Sequence, residues 1–428
     1  MEEITIYYFL IYLISYFGLF TTLFFFMTLF EYKKNIKDDP EVDLKDPKLP
    51  SATIIIPAFN EEKAIARTIE SVLQLNYPKN KLEIMIIDDG STDNTYAEAK
   101  KMAIKNPHIK VFRKENGGKG QALNFGIARA KNELIISLDA DSFVSKDALK
   151  KMVGYFKDSK VMAVTPSMTI FEPKGFFQNL QYAEYTLGIF LKKIFGLMNC
   201  IHVTPGPFSV YRKWFFDKYG GYETNNLTED IEIALRIQKY GYKIENSISS
   251  LVYTIAPNTF MGLLKQRIRW YYGFTQNVLN YKELFNPKYG YLAVLMLPIA
   301  FISVLFSILI FLYFVYQNIH YFIDRIVQFS VIGNSLFIVE FKNFKLSYLW
   351  DSFVNTFTNP LILIVLVSVV FTLSILIIAK KKSGDKRNMI LATIYFFFTY
   401  WFFYALWWIY AFVYKGLGGK IGWGKRKH

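Results

Sequence analysis

A mostly parallel α/β sheet flanked by helices, with transmembrane α-helices at both ends, is the fold class this sequence predicts. Three observations carry it. From residue 51 onward, short apolar runs alternate with helical patterns of about ten to fifteen residues, which is the texture of strand–helix–strand units. Uncharged apolar segments long enough to cross a bilayer lie before and after that region. Two carboxylate-bearing turns, Asp88-Asp89-Gly90-Ser91 and Asp139-Ala140-Asp141, each follow one of the short runs directly. Open α/β sheets collect ligands at such strand ends.

The 428 residues are 52% apolar and 18% aromatic, with 41 Phe and 30 Tyr, a composition that suits a membrane protein. The net charge of +15 suits an anionic leaflet and a phosphorylated substrate. No basic recognition motif accompanies it, so nucleic acid is not an expected partner. The single cysteine, Cys200, excludes an intramolecular disulfide and a Cys-rich zinc site, and four scattered histidines have no ligand spacing.

Residues 1–32 hold the first predicted span, which is free of charge from residue 4 to residue 30. Its start is acidic (Glu2, Glu3) and Lys33, Lys34 and Lys37 follow it, unlike a signal peptide. The positive-inside rule then puts the N-terminus outside and the following domain in the cytoplasm. A charged linker with Pro40, Pro47 and Pro50 occupies residues 33–50. The α/β domain is expected over 51–258, with strands at 51–56, 82–87, 109–113, 134–138 and 161–165. An aromatic helix over 174–198 has two open readings, in the membrane interface or in the core. An amphipathic helix is expected within 259–288, and a membrane region of about three spans within 289–414, at 290–316, 360–380 and 389–414. Lys380, Lys381, Lys382, Lys386 and Arg387 mark the last connection as cytoplasmic. Three crossings would put the basic tail, 415–428, outside, against the positive-inside tendency. The alternative is that residues 326–341 cross or re-enter.

Five motifs carry the chemistry. In the first, Pro57-Ala58-Phe59-Asn60-Glu61-Glu62, the apolar run ends at the proline. Asp89, before Gly90, can accept from a base N–H or a ribose hydroxyl; its bland role would be to cap the next helix, which Asp93 fills better. Asp139 and Asp141, two apart on an extended strand end, can converge on a hard cation, Mg2+ or Mn2+, or simply face solvent. Gly117-Gly118-Lys119-Gly120, between a strand and a helix, lets backbone and Lys119 approach a phosphate, although Walker spacing is missing. Thr228-Glu229-Asp230 opens a helix, where Thr suits the cap and acids suit the first turn; Asp230 there can also take a proton from a hydroxyl. Gln266, Arg269 and Trp270 share one helix face. Arg269 can neutralise a leaving diphosphate and Trp270 can stack on a sugar, or the helix can be an interfacial one with snorkelling cations.

Together, residues 51–275 resemble the family 2 inverting glycosyltransferases, in particular the membrane-integrated branch with cellulose, chitin, hyaluronan and poly-N-acetylglucosamine synthases. The stretches TIIIPAFNEE, LEIMIIDDGSTDNT, GGKGQALNFG, DAD, PGPFSVYRK, LTEDIEIALRIQKYGY and QRIRW stand in that family's order. The resemblance implies a GT-A type sheet. It implies that Pro57, Phe59, Glu61, Asp89, Lys119 and Asp139 contact the nucleotide, with Phe59 standing where the family often has Tyr. It implies Asp139 and Asp141 at the metal, Asp230 as base with Glu229 beside it, and Gln266, Arg269 and Trp270 at the acceptor and diphosphate. Phe208 to Arg212 resemble the segment lining the acceptor pocket.

The implied activity is transfer of a sugar, weakly favouring N-acetylglucosamine, from a UDP-sugar to a growing polysaccharide. The expected setting is the plasma membrane, multi-pass, with the catalytic domain cytoplasmic. A single-transfer glycolipid synthase is the alternative, with a lipid acceptor. Aromatic residues of the last span (Tyr395 to Phe398, Trp401, Trp407, Trp408) line a sugar path in one reading and form a lipid-facing girdle in the other. A transporter is disfavoured, because the predicted spans hold no ionisable residues.

Overall fold

The computed structural model describes residues 2–31, 39–332 and 359–417. The lysines after the first span, residues 333–341 of the segment expected to cross or re-enter, and residues 418–428 of the tail lie outside them.

Helix α1 (Glu2–Glu31) precedes the sheet domain. The domain then runs β1 (Ala52–Ala58), α2 (Ile65–Leu73), β2 (Leu82–Asp88), α3 (Thr95–Lys105), β3 (Ile109–Arg113), α4 (Lys119–Ile127), β4 (Leu134–Ser137), β5 (Ser142–Val144), α5 (Ala148–Val153) and β6 (Val161–Ile170). It continues through α6 (Gly175–Leu197), β7 (Ser209–Arg212), α7 (Lys213–Tyr219), α8 (Glu229–Lys239), β8 (Lys243–Thr254) and α9 (Phe260–Asn280). Beyond it come α10 (Leu297–Ile332), α11 (Pro360–Ser383) and α12 (Ile390–Gly416).

One sheet holds all eight described strands, in the order β3-β2-β1-β4-β7-β6-β8-β5. β3, β2, β1 and β4 are parallel, β7 runs antiparallel to both β4 and β6, and β8 is parallel to β6. The period-2 alternation of β1 explains its two-sided burial. Ile54 and Ile56 pack with Ile65, Ile69 and Val72 of α2, while Ile55 packs with Ala122 and Leu123 of α4 on the other face. The sheet is therefore covered on both sides and its strand ends are left open.

The five expected strands are present. β1 runs on through Pro57 to Ala58, and β6 runs on to Ile170. Proline is tolerated in this central strand because β4 pairing with β1 stops at Ile55↔Ser137, leaving no partner for the absent N–H. The strands β5, β7 and β8 were not anticipated.

Four helices among the described residues are long and apolar enough to cross a membrane, at Phe9–Glu31, Leu292–Val331, Pro360–Ser383 and Ile390–Gly416. α1 packs on α11 through Phe26 and Phe371, with centroids 5.0 Å apart. The aromatic helix α6 lies between the sheet and these helices; Phe190 and Ile194 meet Ile375 and Ala379 of α11.

α12 touches the sheet domain at both ends. Before it, the Arg387 guanidinium donates to Thr169 Oγ1 at 2.8 Å, and Tyr182 donates to Asp385 Oδ2 at 3.2 Å. At its far end the Lys415 ammonium stands 5.5 Å from the Tyr272 ring centroid of α9. In the same helix Trp407 and Trp408 are buried, and Trp408 stacks on Tyr271 at 4.1 Å. Phe398 points outward, 76% exposed. Tyr400, Trp401 and Tyr404 line, with Ser307 and Ile310 of α10, a cavity of about 190 Å3.

Candidate active site

The site forms where β1, β2 and β4 end and the loops after them are tied together. The loop after β1 and the loop after β2 brace each other. Asn60 N donates to Ser91 Oγ at 3.0 Å, Thr92 N to Asn60 Oδ1 at 2.8 Å, Glu61 N to Thr95 Oγ1 at 2.7 Å and Glu62 N to Asp93 Oδ2 at 3.2 Å. Asn60 adopts φ 55°, a left-handed conformation that asparagine tolerates. Asp93 also accepts from Thr95 N, the first residue of α3, at 2.9 Å, while the N-cap position itself falls on Asn94, one residue later than expected. Phe59 is half-buried beside these braces, and Pro57 is buried within β1.

Asp89 is fully buried and organises the glycine loop. Its carboxylate accepts from Lys114 Nζ at 2.6 Å, Gly117 N at 3.1 Å and Gly118 N at 2.8 Å. Gly118, at φ 89°, then turns the chain into α4, whose first residue is Lys119. Lys119 is the hub of the site. Its Nζ lies 2.8 Å from Asp139 Oδ1 and 2.8 Å from Glu229 Oε1. Burial pulls the ammonium down, but Asp139, Glu229 and Asp230 outweigh it and hold the group above the usual lysine range.

Asp230 is pushed up to about 6, first by burial and then by the Glu229 charge, with Lys119 and Arg269 pulling the other way. Its Oδ1 accepts from Ile231 N at 3.0 Å, and its carbonyl accepts from Thr204 N at 3.1 Å and Thr204 Oγ1 at 3.0 Å. The helix start is fixed from α9. Asn277 Nδ2 donates to Thr228 Oγ1 at 2.9 Å and to Asn226 Oδ1 at 3.1 Å. Thr228 therefore does not cap α8 with its side chain; its hydroxyl is used by Asn277. Gly273 leaves room for that contact, since a Cβ there would stand 2.9 Å from Thr228 Cβ.

Asp141 is buried and accepts from Ser142 Oγ at 3.2 Å. Burial pushes the Tyr185 phenol on α6 up, with the Glu184 and Asp141 charges adding to it and Arg267 and Arg269 pulling the other way. Asp139, Glu229, Asp230, Lys119 and Arg269 are thus brought together, Asp141 and Asp89 flank them, and α9 closes one side. Gln266 presents a buried Oε1 with no partner among the described residues. The Trp270 ring carries the Arg267 guanidinium over it, 4.4 Å from its centroid.

Several contributors were given no site role from sequence: Lys114, Thr204, Gly206, Glu184, Asn277 and Arg267, the last read only as a snorkelling cation. Gly206 sits directly behind the hub. A Cβ there would fall on Lys119 Nζ and 2.8 Å from Asp139 Oδ1. Its place in PGPFSVYRK, one of the stretches that carry the resemblance, was a signal that could have marked it.

Among the described residues no three His, Cys, Asp or Glu side chains form a group able to hold a metal ion by themselves. Asp139 and Asp141 nevertheless offer all-oxygen donors at one strand end. That suits Mg2+ or Mn2+, which bind through one or two carboxylates and leave the rest of the shell to substrate phosphate and water.

Residues 53–220 match the family model for glycosyl transferase family 2. The chain belongs to glycosyl transferase family 2. The poly-beta-1,6-N-acetyl-D-glucosamine synthase of Staphylococcus aureus (strain COL) is 34% identical over 252 residues, covering 58% of this chain. That match spans 60% of the relative's own length. The synthase of the same description from Staphylococcus epidermidis is 30% identical over 302 residues, 69% of this chain and 71% of that protein. In fold, the chain is similar to a mannosyltransferase of Pyrobaculum calidifontis solved in complex with GDP-Man and Mn2+. The TM-score is 0.50 at 19% identity, with 88% of this chain and 100% of that one covered. The GT-A type of sheet expected from the motifs is the observed one.

Proposed function

We propose that this protein is a membrane-bound inverting glycosyltransferase that passes N-acetylglucosamine from UDP-N-acetylglucosamine to a growing polysaccharide. The observation that carries the proposal is the hub: Lys119 joins Asp139 and Glu229 in one buried cluster, with Asp230 and Arg269 beside it. The Staphylococcus relatives support the choice of sugar and of a polymeric product.

In this reading the nucleoside lies against Phe59 and Glu61, below the braced loops, and Asp89 acts from behind them by holding the glycine loop. Lys119 and Arg269 face the diphosphate, and Gln266 and Trp270 face the acceptor, whose hydroxyl would satisfy Gln266 Oε1. Asp230 takes the proton from the acceptor hydroxyl as that oxygen attacks the anomeric carbon. The new C–O bond forms as the bond to the diphosphate breaks on the opposite face, so configuration inverts. UDP leaves with the bonding pair, and Arg269 neutralises the charge that develops on it. Asp139 and Asp141 would hold a divalent cation, which when bound supplies further positive charge for the diphosphate.

A raised Asp230 value suits a base that must be ionised near neutral pH yet still accept a proton. The catalytic domain is assigned to the cytoplasmic side of the plasma membrane, where nucleotide sugars are made. The docking of the Lys380–Arg387 connection onto β6 supports that side, because basic connections favour it.

The test is donor-dependent UDP release by the purified protein with Mg2+ or Mn2+ and a panel of UDP-sugars, with the product sized. UDP-N-acetylglucosamine turnover with a polymer ladder is expected. A single short glycolipid would replace the polymerase reading, and no donor-dependent release would end both.

A further inference from the structure

Outside the hub, a buried polar cluster lies between α6, α9 and α12. Arg267 is 1% exposed, and its Nη2 donates to Glu184 Oε2 on α6 at 2.6 Å. Tyr400 on α12 donates its hydroxyl to Glu184 Oε1 at 3.1 Å. The guanidinium plane faces two indoles: its carbon is 4.4 Å from the Trp270 centroid and 5.2 Å from that of Trp407. Arg267 Nε is buried with no hydrogen-bond partner among the described residues. The orientation of the guanidinium therefore rests on Glu184 and the two rings.

We propose that Glu184, Arg267 and Tyr400 are positioning residues that hold the Trp270 indole in place for the acceptor, so that α12 takes part in setting acceptor geometry. This rests on the reading of Trp270 as the acceptor-stacking side chain. A buried ion pair is a poor device for stability alone, because its desolvation offsets most of its attraction. As an orienting device it works well. Glu184 is held from two sides and fixes the fork of Arg267, and the flat cation lies on one face of Trp270 through cation–π attraction. Trp270 itself is only half-buried, unlike Arg267 and Trp407 behind it. Losing the Tyr400 hydroxyl frees Glu184 to turn, and the effect reaches Trp270 through Arg267.

The experiment uses the full chain in lipid nanodiscs with UDP-N-acetylglucosamine and short β-1,6-linked N-acetylglucosamine oligosaccharides. Tyr400→Phe removes one oxygen and leaves the packing intact. It should raise the acceptor KM about tenfold, the scale of one lost hydrogen bond to a charged group, with the donor KM unchanged. Arg267→Lys keeps the charge but not the plane, and should do the same. In a Trp270→Ala background Tyr400→Phe should have no further effect, since the two would act through one unit. Additive effects of Trp270→Ala and Tyr400→Phe, or equal changes in donor and acceptor KM, would overturn the proposal. If Trp270→Ala by itself leaves the acceptor KM unchanged, the platform reading fails and takes the proposal with it. If Trp270→Ala raises it while Tyr400→Phe acts independently, only the coupling fails.

Discussion

Asp230 is the proposed base, and two expectations attach to it. Asp230→Asn keeps the shape and removes the proton acceptor. Turnover should fall at least ~10²-fold, the low end for a lost general base, with UDP-sugar binding retained by calorimetry. The pH profile should follow the same group. Activity should climb as pH rises through about 6, the value to which burial and Glu229 push Asp230. The stability contribution has the opposite sign. Between the ordinary 3.8 and about 6 the folded chain keeps a proton that the unfolded chain has released. Stability from this group therefore falls as pH rises across that window. Gly206 gives a third expectation: Gly206→Ala puts a methyl against Lys119 and Asp139. The donor KM should rise at least about tenfold while the melting temperature changes little, because the displaced atoms are ends of flexible side chains. At this scale the carboxylates and Lys119 were legible, since strand ends and glycine turns mark them. Gly206, Thr204 and Arg267 were not, because their roles depend on contacts between segments distant in sequence, 26 residues apart for Thr204 and Asp230 and 83 for Arg267 and Glu184, that no local pattern encodes.

At the scale of elements, the α8–α9 contact decides where Asp230 stands. Asn277 is fully buried and bonds both Asn226 and Thr228. Asn277→Ala should destabilise the domain by ~1–3 kcal/mol, the penalty for leaving such buried groups unpaired, and thermal unfolding will measure it. The parallel strands were readable because burial on both faces makes them continuous apolar runs. β8 was not. Its sequence Lys243–Thr254 mixes polar residues into the run, and the structure buries them in hydrogen bonds. Asn246 Nδ2 donates to Thr165 O at 3.1 Å, and Ser167 Oγ donates to Ile248 O at 2.8 Å. Tertiary pairing overrides the pattern there. β5 and β7, at three and four residues, are too short to show a period.

For the molecule as a whole, the sheet domain and the connection before α12 form one body, joined by Arg387, Asp385, Thr169 and Tyr182. A cysteine placed at the exposed Lys386, with the buried Cys200 replaced by Ala, should resist a membrane-impermeant maleimide in intact cells and react after permeabilisation. Labelling of intact cells would reverse the assigned orientation. The apolar segments were the plainest feature of the sequence, and α12 is one of the four described helices long and apolar enough to cross. Its inward face, Trp407 and Trp408 against α9, could be seen only once the helices were packed.

The Lys415–Tyr272 contact has a consequence for the end of the chain. On the proposed cytoplasmic placement of the sheet domain, this contact would hold the far tip of α12 to the same face of the bilayer. An epitope fused behind His428 should survive protease added to sealed cells and vanish once they are opened.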